Sequence, residues 1–108
     1  MKKFQEDAIK AFLARMHDTM LAKGNDYAGD DTLANFKEAN DVGLSTPMSI
    51  YVRLSDKYLR LKRFMKTGNF AVEDEKVEDT LLDLANYAVL MALAVQEDTK
   101  DNKDEMTQ

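Results

Sequence analysis

The chain has 108 residues, 44% of them hydrophobic and 32% charged, with a formal net charge of −5 at pH 7. This composition is typical of one small folded domain and excludes a disordered chain, and the negative charge argues against general nucleic-acid coating, which needs a broad basic surface. The absence of cysteine excludes disulfides, a thiolate nucleophile and zinc–thiolate sites.

The N-terminal segment MKKFQEDAIKAF has two lysines but no long apolar stretch, which is not the pattern of a signal peptide. The longest apolar run, residues 89–95, is too short to cross a bilayer. We therefore expect a cytoplasmic protein without a membrane partner.

The first predicted helix runs from about Phe4 to Lys23, because apolar residues recur there at helical spacing and Gly24 suits a helix end. The next stretch, KGNDYAGDDTLANFKEANDVGLSTP, is rich in Gly, Asn and Asp. It predicts a long ordered loop with about one helical turn near residues 33–38. A connection of this length in so small a domain is usually functional.

The second predicted helix spans roughly Met48 to Lys66, after a start signal in which Pro47 takes an early helical position. Two stripes share this helix. The apolar stripe consists of Ile50, Leu54, Tyr58, Leu61 and Met65, and the basic stripe at i, i+4 and i+7 consists of Arg53, Lys57 and Arg60.

The third predicted helix covers about Val72 to Glu97, and residues 98–108 are predicted to be a disordered polar tail. Its predicted core stripe is Val77, Leu81, Leu84, Ala88, Met91 and Val95, and a polar stripe nearly opposite carries Glu75, Asp79, Asp83 and Asn86. A helix that is apolar on nearly all sides must be buried on all sides, so we expect a homo-oligomer, a dimer or higher, formed through this helix. The predicted fold is a single all-α domain, residues 1–97, built as a small bundle of three to four main helices.

The acidic stripe allows two interpretations. Acids at i and i+4 on one helix face can hold a hard cation such as Mg²⁺. Alternatively, acids in the first turn, among them Glu75 and Asp79, stabilise the positive end of the helix. Asp83 lies past that turn in an apolar setting, which favours a functional or tightly paired role.

The basic stripe also allows two interpretations. Its arginines and lysine have the chemistry to bind phosphates, but they are equally the natural salt-bridge partners of the acidic stripe. The loop adds amide, carboxylate and aromatic groups suited to a base edge, a sugar hydroxyl or a stacked base. As turn residues the same Gly, Asn and Asp are ordinary.

Three segments in order, KGNDYAG…NF, RLSDKYLRLKRF and DEKVEDTLLDLANYA, resemble the nucleotide modification associated domain 1 family, which is common in phages and prophages. The resemblance covers residues 23–90. That family is similar to the MazG-like and dimeric dUTPase group of all-α nucleoside triphosphate pyrophosphohydrolases, which hold Mg²⁺ with acids from two helices. The resemblance implies phosphate contacts from the basic stripe and base or sugar recognition by the loop at 23–36.

The residues predicted to contact a nucleotide are Lys23, Asn25, Asp26, Tyr27, Asn35, Phe36, Arg53, Lys57, Arg60, Asn86 and Tyr87. Mg²⁺ is the one cofactor implied, and the residues that would hold it are Asp56, Glu75, Asp79 and Asp83.

One departure bears on catalysis. MazG-like enzymes carry a glutamate cluster of the E-E-x-x-E type on the preceding helix, where this chain has only Asp56 among basic residues. We therefore expect a nucleotide-binding protein of phage origin, in the host cytoplasm, that sequesters a linear or cyclic nucleotide signal of host defence without hydrolysis. The alternatives are a Mg²⁺-dependent nucleotide pyrophosphohydrolase or nucleotide-modification accessory enzyme, and an oligomerisation module whose charges merely pair. No catalytic residue is predicted.

Overall fold

The computed structural model describes the backbone of residues 1–25, 29–69, 71–72 and 75–107, and the side chains of residues 1–22, 29–69 and 76–100. These residues form the helices α1 (Lys3–Asn25), α2 (Ala34–Lys37), α3 (Thr46–Thr67) and α4 (Val77–Thr107). A 3₁₀ helix, Glu38–Val42, separates α2 from α3, and the two-residue strands β1 (Ala71–Val72) and β2 (Glu75–Lys76) pair antiparallel before α4. The predicted all-α bundle is confirmed.

The ends of α3 follow from local sequence signals. The Ser45 hydroxyl accepts a hydrogen bond from the Met48 backbone N–H at 3.2 Å, and Pro47 lies in the first turn. At the other end Gly68 adopts a φ of 67°, and its N–H donates to the Phe64 carbonyl at 3.0 Å. A left-handed residue at this position favours glycine, because it has no Cβ. Both predicted ends of this helix are confirmed to within two residues.

The start of α4 differs from the prediction. A helix from Val72 was predicted, but the chain forms the β1–β2 hairpin first, and α4 begins at Val77. The Asp79 carboxylate accepts a hydrogen bond from the Lys76 backbone N–H at 3.3 Å, so it caps the new helix start.

The end of α4 also differs, because the backbone stays helical to Thr107 instead of ending near Glu97. A helix that is already nucleated adds residues cheaply, and the polar end contains no proline or glycine to stop it. No helix among the described residues is long and apolar enough to cross a membrane.

Helices α3 and α4 pack antiparallel, since Lys57 contacts Asp83 while Ile50, earlier in α3, clusters with Ala94, later in α4. Leu33, just before α2, completes this buried cluster. Four partly buried side chains surround it: Phe36, Tyr87, Leu90 and Met91. The segment that contains Leu33 and Phe36 is therefore packed onto the α3–α4 pair.

The predicted core stripe of α4 is right for Val77, Leu84 and Met91, which are partly buried, and wrong for its other three members. Leu81, Ala88 and Val95 are exposed, whereas the face turned inward carries Thr80, Asp83, Asn86 and Ala94. The apolar stripe predicted on α3 is right for Ile50, Leu54 and Leu61, but Tyr58 and Met65 are exposed. The inward faces are those on which Ile50 meets Ala94 and Lys57 meets Asp83.

Candidate functional site

An ion pair joins α3 to α4 at the centre of their contact. Lys57 Nζ lies 2.9 Å from Asp83 Oδ2, and the two side chains are only 22% and 29% exposed. A partly buried carboxylate needs a partner of opposite charge, and Asp83 has one. The structure thus answers why an acid is retained within the apolar part of α4. It supports the tightly paired role predicted for Asp83.

The other residues of the basic stripe lie on the same flank of α3. Arg53 and Arg60 are one turn from Lys57 on either side, at helical spacings that share a face, and both are exposed. Asp56 is also exposed. The structure therefore brings one cation of the stripe into the helix interface and leaves the two arginines accessible at its edge.

Asn86 lies one turn beyond Asp83 on the inward face of α4. Its side chain is buried, with a residue exposure of 5%, and neither Nδ2 nor Oδ1 has a hydrogen-bond partner. An amide carries two donor hydrogens and a carbonyl acceptor, and leaving such groups unpaired in the interior costs free energy. Most buried polar groups in folded proteins are paired, so this amide is an exception that needs an explanation.

Tyr87 and Phe36, both predicted to contact a nucleotide, lie next to each other. Their rings meet edge to face with centroids 6.3 Å apart and planes at 83°. Both are partly buried against the cluster formed by Leu33, Ile50 and Ala94, so part of their role is in the core. Asn35, the preceding loop residue, is exposed.

A lysine that the sequence analysis did not single out fastens the loop to α4. Lys37 Nζ lies 2.6 Å from Asp31 Oδ2 and 3.1 Å from Glu97 Oε2. The other oxygen of Asp31 accepts a hydrogen bond from the Leu33 backbone N–H at 2.9 Å. In the sequence this contact is indicated only by Asp31, an acid six residues before Lys37 in a segment rich in turn residues. That spacing is too common to predict an ion pair.

These contacts shift the pKa values of Asp31 and Lys37. The Lys37 ammonium, and then the Leu33 N–H, hold the pKa of the Asp31 carboxyl below its ordinary value. The Asp31 and Glu97 carboxylates raise the pKa of Lys37. The ion pairs therefore favour the charged forms of Asp31 and Lys37. We call the contacts of Lys37 with Asp31 and Glu97 the loop anchor, and it is intact at neutral pH.

The loop anchor makes a testable contribution to acid stability. A carboxyl group whose pKa is lowered by folding stabilises the fold above its unfolded value, near 3.8 for Asp31, and this stabilisation is lost as the pH falls through the folded value. Asp31→Asn keeps an oxygen for Leu33 but loses the charge. We expect this variant to be less stable than the natural protein at pH 6, by no more than about 1 kcal/mol because the pair is partly exposed.

The difference between the two proteins should shrink as the pH is lowered toward about 3, where carboxyl groups become protonated. Urea unfolding at a series of pH values measures it. Asp41→Asn, which changes an exposed carboxylate of the adjoining 3₁₀ helix, is the matched control and should leave the profile unchanged. A constant difference across the series would show that Asp31 acts through its backbone contact alone.

The acids at the start of α4 are engaged by α1. Arg15 donates to Glu78 and lies 3.6 Å from Asp79, which also caps the helix. The cap by Asp79 agrees with the stabilising interpretation of this acid, whereas Glu75 lies in β2, before α4, and is not a first-turn acid. In the part of the chain with described side chains, no three acidic or histidine groups lie close enough to form a metal cluster.

Five predicted site residues lie wholly or in part outside the residues that the structure describes. Asp26 and Tyr27 lie outside the described residues, and the side chains of Lys23, Asn25 and Glu75 do as well. Their predicted roles stay predictions. The described part of the site therefore consists of Lys57, Asp83, Asn86, Tyr87 and Phe36, with Arg53, Asp56 and Arg60 at the edge and Asn35 exposed in the loop.

Comparisons of this chain with models of protein families, with curated proteins and with solved structures find no match.

Proposed function

We propose that this protein binds a nucleotide at the edge between α3 and α4 and does not hydrolyse it. The observation that carries the proposal is the buried amide of Asn86, whose donor and acceptor are both without partners. A nucleobase edge presents donors and acceptors side by side, and asparagine pairs with such an edge through two hydrogen bonds. A bound base would therefore satisfy the amide.

The charges beside Asn86 suit the phosphates of the same ligand. Lys57 is held in place by Asp83 at 2.9 Å, and Arg53 lies one turn away on the same flank. A cation fixed before the ligand arrives loses little conformational entropy on binding. Arginine adds a planar fork that contacts phosphate oxygens in pairs.

The pairing of the acids supports binding without hydrolysis. Asp83 contacts Lys57, and Asp79 contacts Arg15 and caps α4. In this arrangement the carboxylates orient cations and a helix end. A protein that binds a nucleotide and returns it unchanged lowers its free concentration, which is how a nucleotide signal of host defence would be sequestered.

The test begins with the purified protein, denatured so that any small molecule that co-purified can be identified by mass spectrometry. Calorimetric titration with nucleoside mono-, di- and triphosphates and with linear and cyclic dinucleotides then gives affinities, each measured with Mg²⁺ and with a chelator. We expect saturable binding with the ligand recovered intact. Release of pyrophosphate would instead establish a Mg²⁺-dependent pyrophosphohydrolase, and the absence of binding across the panel would refute the proposal.

Two exposed cations of α3, Arg53 and Lys62, give a matched pair of variants for the same assay. Arg53→Ala should weaken nucleotide binding by about 10- to 100-fold, the effect of losing one charge-assisted hydrogen bond to phosphate. Lys62→Ala removes an equal charge from an exposed position of α3, on the side opposite Arg53 because nine residues turn a helix by about 900°. Equal losses in both variants would mean that only net charge matters.

A further inference from the structure

The first helix, α1, packs against α4 on the flank that carries Asn86. Arg15 donates to Glu78 and lies 3.6 Å from Asp79. At about 100° per residue, the directions of Leu82 and Asn86 around the axis of α4 both fall between those of Glu78 and Asp79. Leu82 is buried, with an exposure of 8%. Helix α1 therefore faces the side of α4 on which the buried amide lies.

The connection to Leu33 sets the direction in which α1 runs. Leu33 packs against Ala94, which lies 16 residues beyond Glu78 in α4, a rise of about 24 Å. Asn25 and Leu33 are eight residues apart in sequence, so they lie within about 29 Å of each other. If α1 ran from Arg15 in the opposite direction, Asn25 would lie roughly 39 Å from Ala94, farther than the chain allows. Helix α1 therefore runs along α4 toward its C-terminal end.

The half-buried side chains of α1 are mostly apolar. They are Phe12, Met16, Thr19 and Met20. The hydroxyl of the one threonine among them donates to the Arg15 carbonyl at 2.8 Å. Phenyl and thioether groups offer little to an amide, since a thioether sulfur is only a weak acceptor. An apolar cover of this kind explains why the Asn86 amide is buried without a partner.

Helix α1 is weakly held. The first eleven residues of the chain are exposed, so the N-terminal half of α1 buries almost no apolar surface. The ion pairs of Arg15 join side chains of which about half is in contact with water, at 45% for Arg15, 59% for Glu78 and 52% for Asp79. Exposed ion pairs contribute little to stability, and a segment with few buried contacts separates at a lower free energy than the core unfolds.

We propose that α1 is a lid over Asn86, that Arg15 holds this lid closed, and that the open form admits the nucleotide base. This role rests on the proposed function, because the base is the group that would pair with the amide. The open form is a small fraction of the molecules, so the observed affinity is the intrinsic affinity reduced by that fraction. Arg15 is thus a positioning residue that acts on the ligand only through α1.

The first experiment measures the opening of α1 without any nucleotide. The chain contains no cysteine, so Asn86→Cys introduces a single thiol. Its rate of alkylation by iodoacetamide reports the population of the open form, since this reaction is slow compared with closing. Adding Arg15→Ala should speed alkylation by about 3- to 10-fold, because two exposed ion pairs are lost. Lys10→Ala removes an equal charge from a pair within α1, that with Glu6, and should leave the rate unchanged.

A thiol elsewhere in the core separates the lid from the whole fold. Ala94→Cys lies in the cluster with Leu33 and Ile50, away from α1, and Arg15→Ala should not change its alkylation rate. Equal acceleration at positions 86 and 94 would mean that Arg15 only stabilises the whole fold, and it would overturn the proposal. No acceleration at position 86 would overturn it as well.

Calorimetric titration with the nucleotides and dinucleotides of the same panel then measures the effect of the lid on binding. Loss of a cation should, by simple electrostatics, weaken the binding of phosphates. We expect Arg15→Ala to strengthen binding instead, by the same 3- to 10-fold as the alkylation rate, and Lys10→Ala not to strengthen it. Weaker binding by Arg15→Ala would contradict the lid. If nothing in the panel binds the natural protein, the proposed function fails, and the alkylation rates still decide whether α1 covers Asn86.

Discussion

Replacing Asn86 with leucine is expected to raise the free energy of unfolding while abolishing nucleotide binding. The asparagine amide is buried without a hydrogen-bond partner, so the free protein bears the cost of its desolvation. Leucine branches at the same carbon and removes the polar atoms, and we expect a gain of about 1 to 2 kcal/mol in urea unfolding. Nucleotide affinity should fall by about 100-fold, because two hydrogen bonds to the ligand are lost.

The opposite signs of the two effects make this variant informative. A residue that is important only for the fold loses stability when replaced, and its ligand affinity falls as a consequence. Here stability and affinity should move apart, as is common where binding sites keep strained or unsatisfied groups. Asn35→Leu is the control for stability, since Asn35 is exposed and its replacement should change stability by less than about 0.5 kcal/mol. A destabilised Asn86→Leu protein would show that the amide is satisfied in solution.

The second large effect concerns the pair formed by Lys57 and Asp83. We expect each of Lys57→Met and Asp83→Leu to destabilise the protein by about 1 to 3 kcal/mol, because each leaves a partly buried charge without its partner. The double variant should recover much of that loss, so the double-mutant cycle should give a coupling energy above about 1 kcal/mol. The exposed α1 pair of Lys10 and Glu6, at 3.2 Å, should give less than about 0.5 kcal/mol.

The same pair separates three roles for Asp83 in binding. The neutral variant Asp83→Asn removes a negative charge, so simple electrostatics would improve the binding of phosphate. If Asp83 positions Lys57, affinity should instead fall, by about tenfold, and equally with Mg²⁺ or a chelator. If Asp83 held a metal ion, the loss would occur only in the presence of Mg²⁺. Calorimetric titration of the natural protein and this variant under both conditions distinguishes these outcomes.

Part of the site could be predicted because its residues share a helix. Spacing by three and four residues placed Arg53, Lys57 and Arg60 on one side of α3, and it placed Asp83 near Asn86 on α4. Pairing between the two stripes was one of the two interpretations that the sequence left open. The contact between Lys57 and Asp83 agrees with that interpretation for this pair.

Other contacts could not be predicted, since they join segments far apart in sequence. Arg15 reaches Glu78 across 63 positions, and Lys37 reaches Glu97 across 60. Helical periodicity does not predict such pairs. A chain with 15 lysines and arginines and 20 acids offers many alternative partners for each charge. The sequence places Asn86 in the polar stripe of α4, but the lack of partners for its amide is a property of the packed helices.

The sequence by itself determined the helical class, the ends of α3 at Ser45 and Gly68, and the presence of charge inside an apolar helix. It did not determine which face of α4 is inside. A helix that is apolar nearly all round has almost no contrast between its faces, so the buried face is chosen by what its neighbours supply. Here Ile50 of α3 and Leu33 pack on Ala94, and Lys57 pairs with Asp83 on the same face of α4. Leu81, Ala88 and Val95 are left outside.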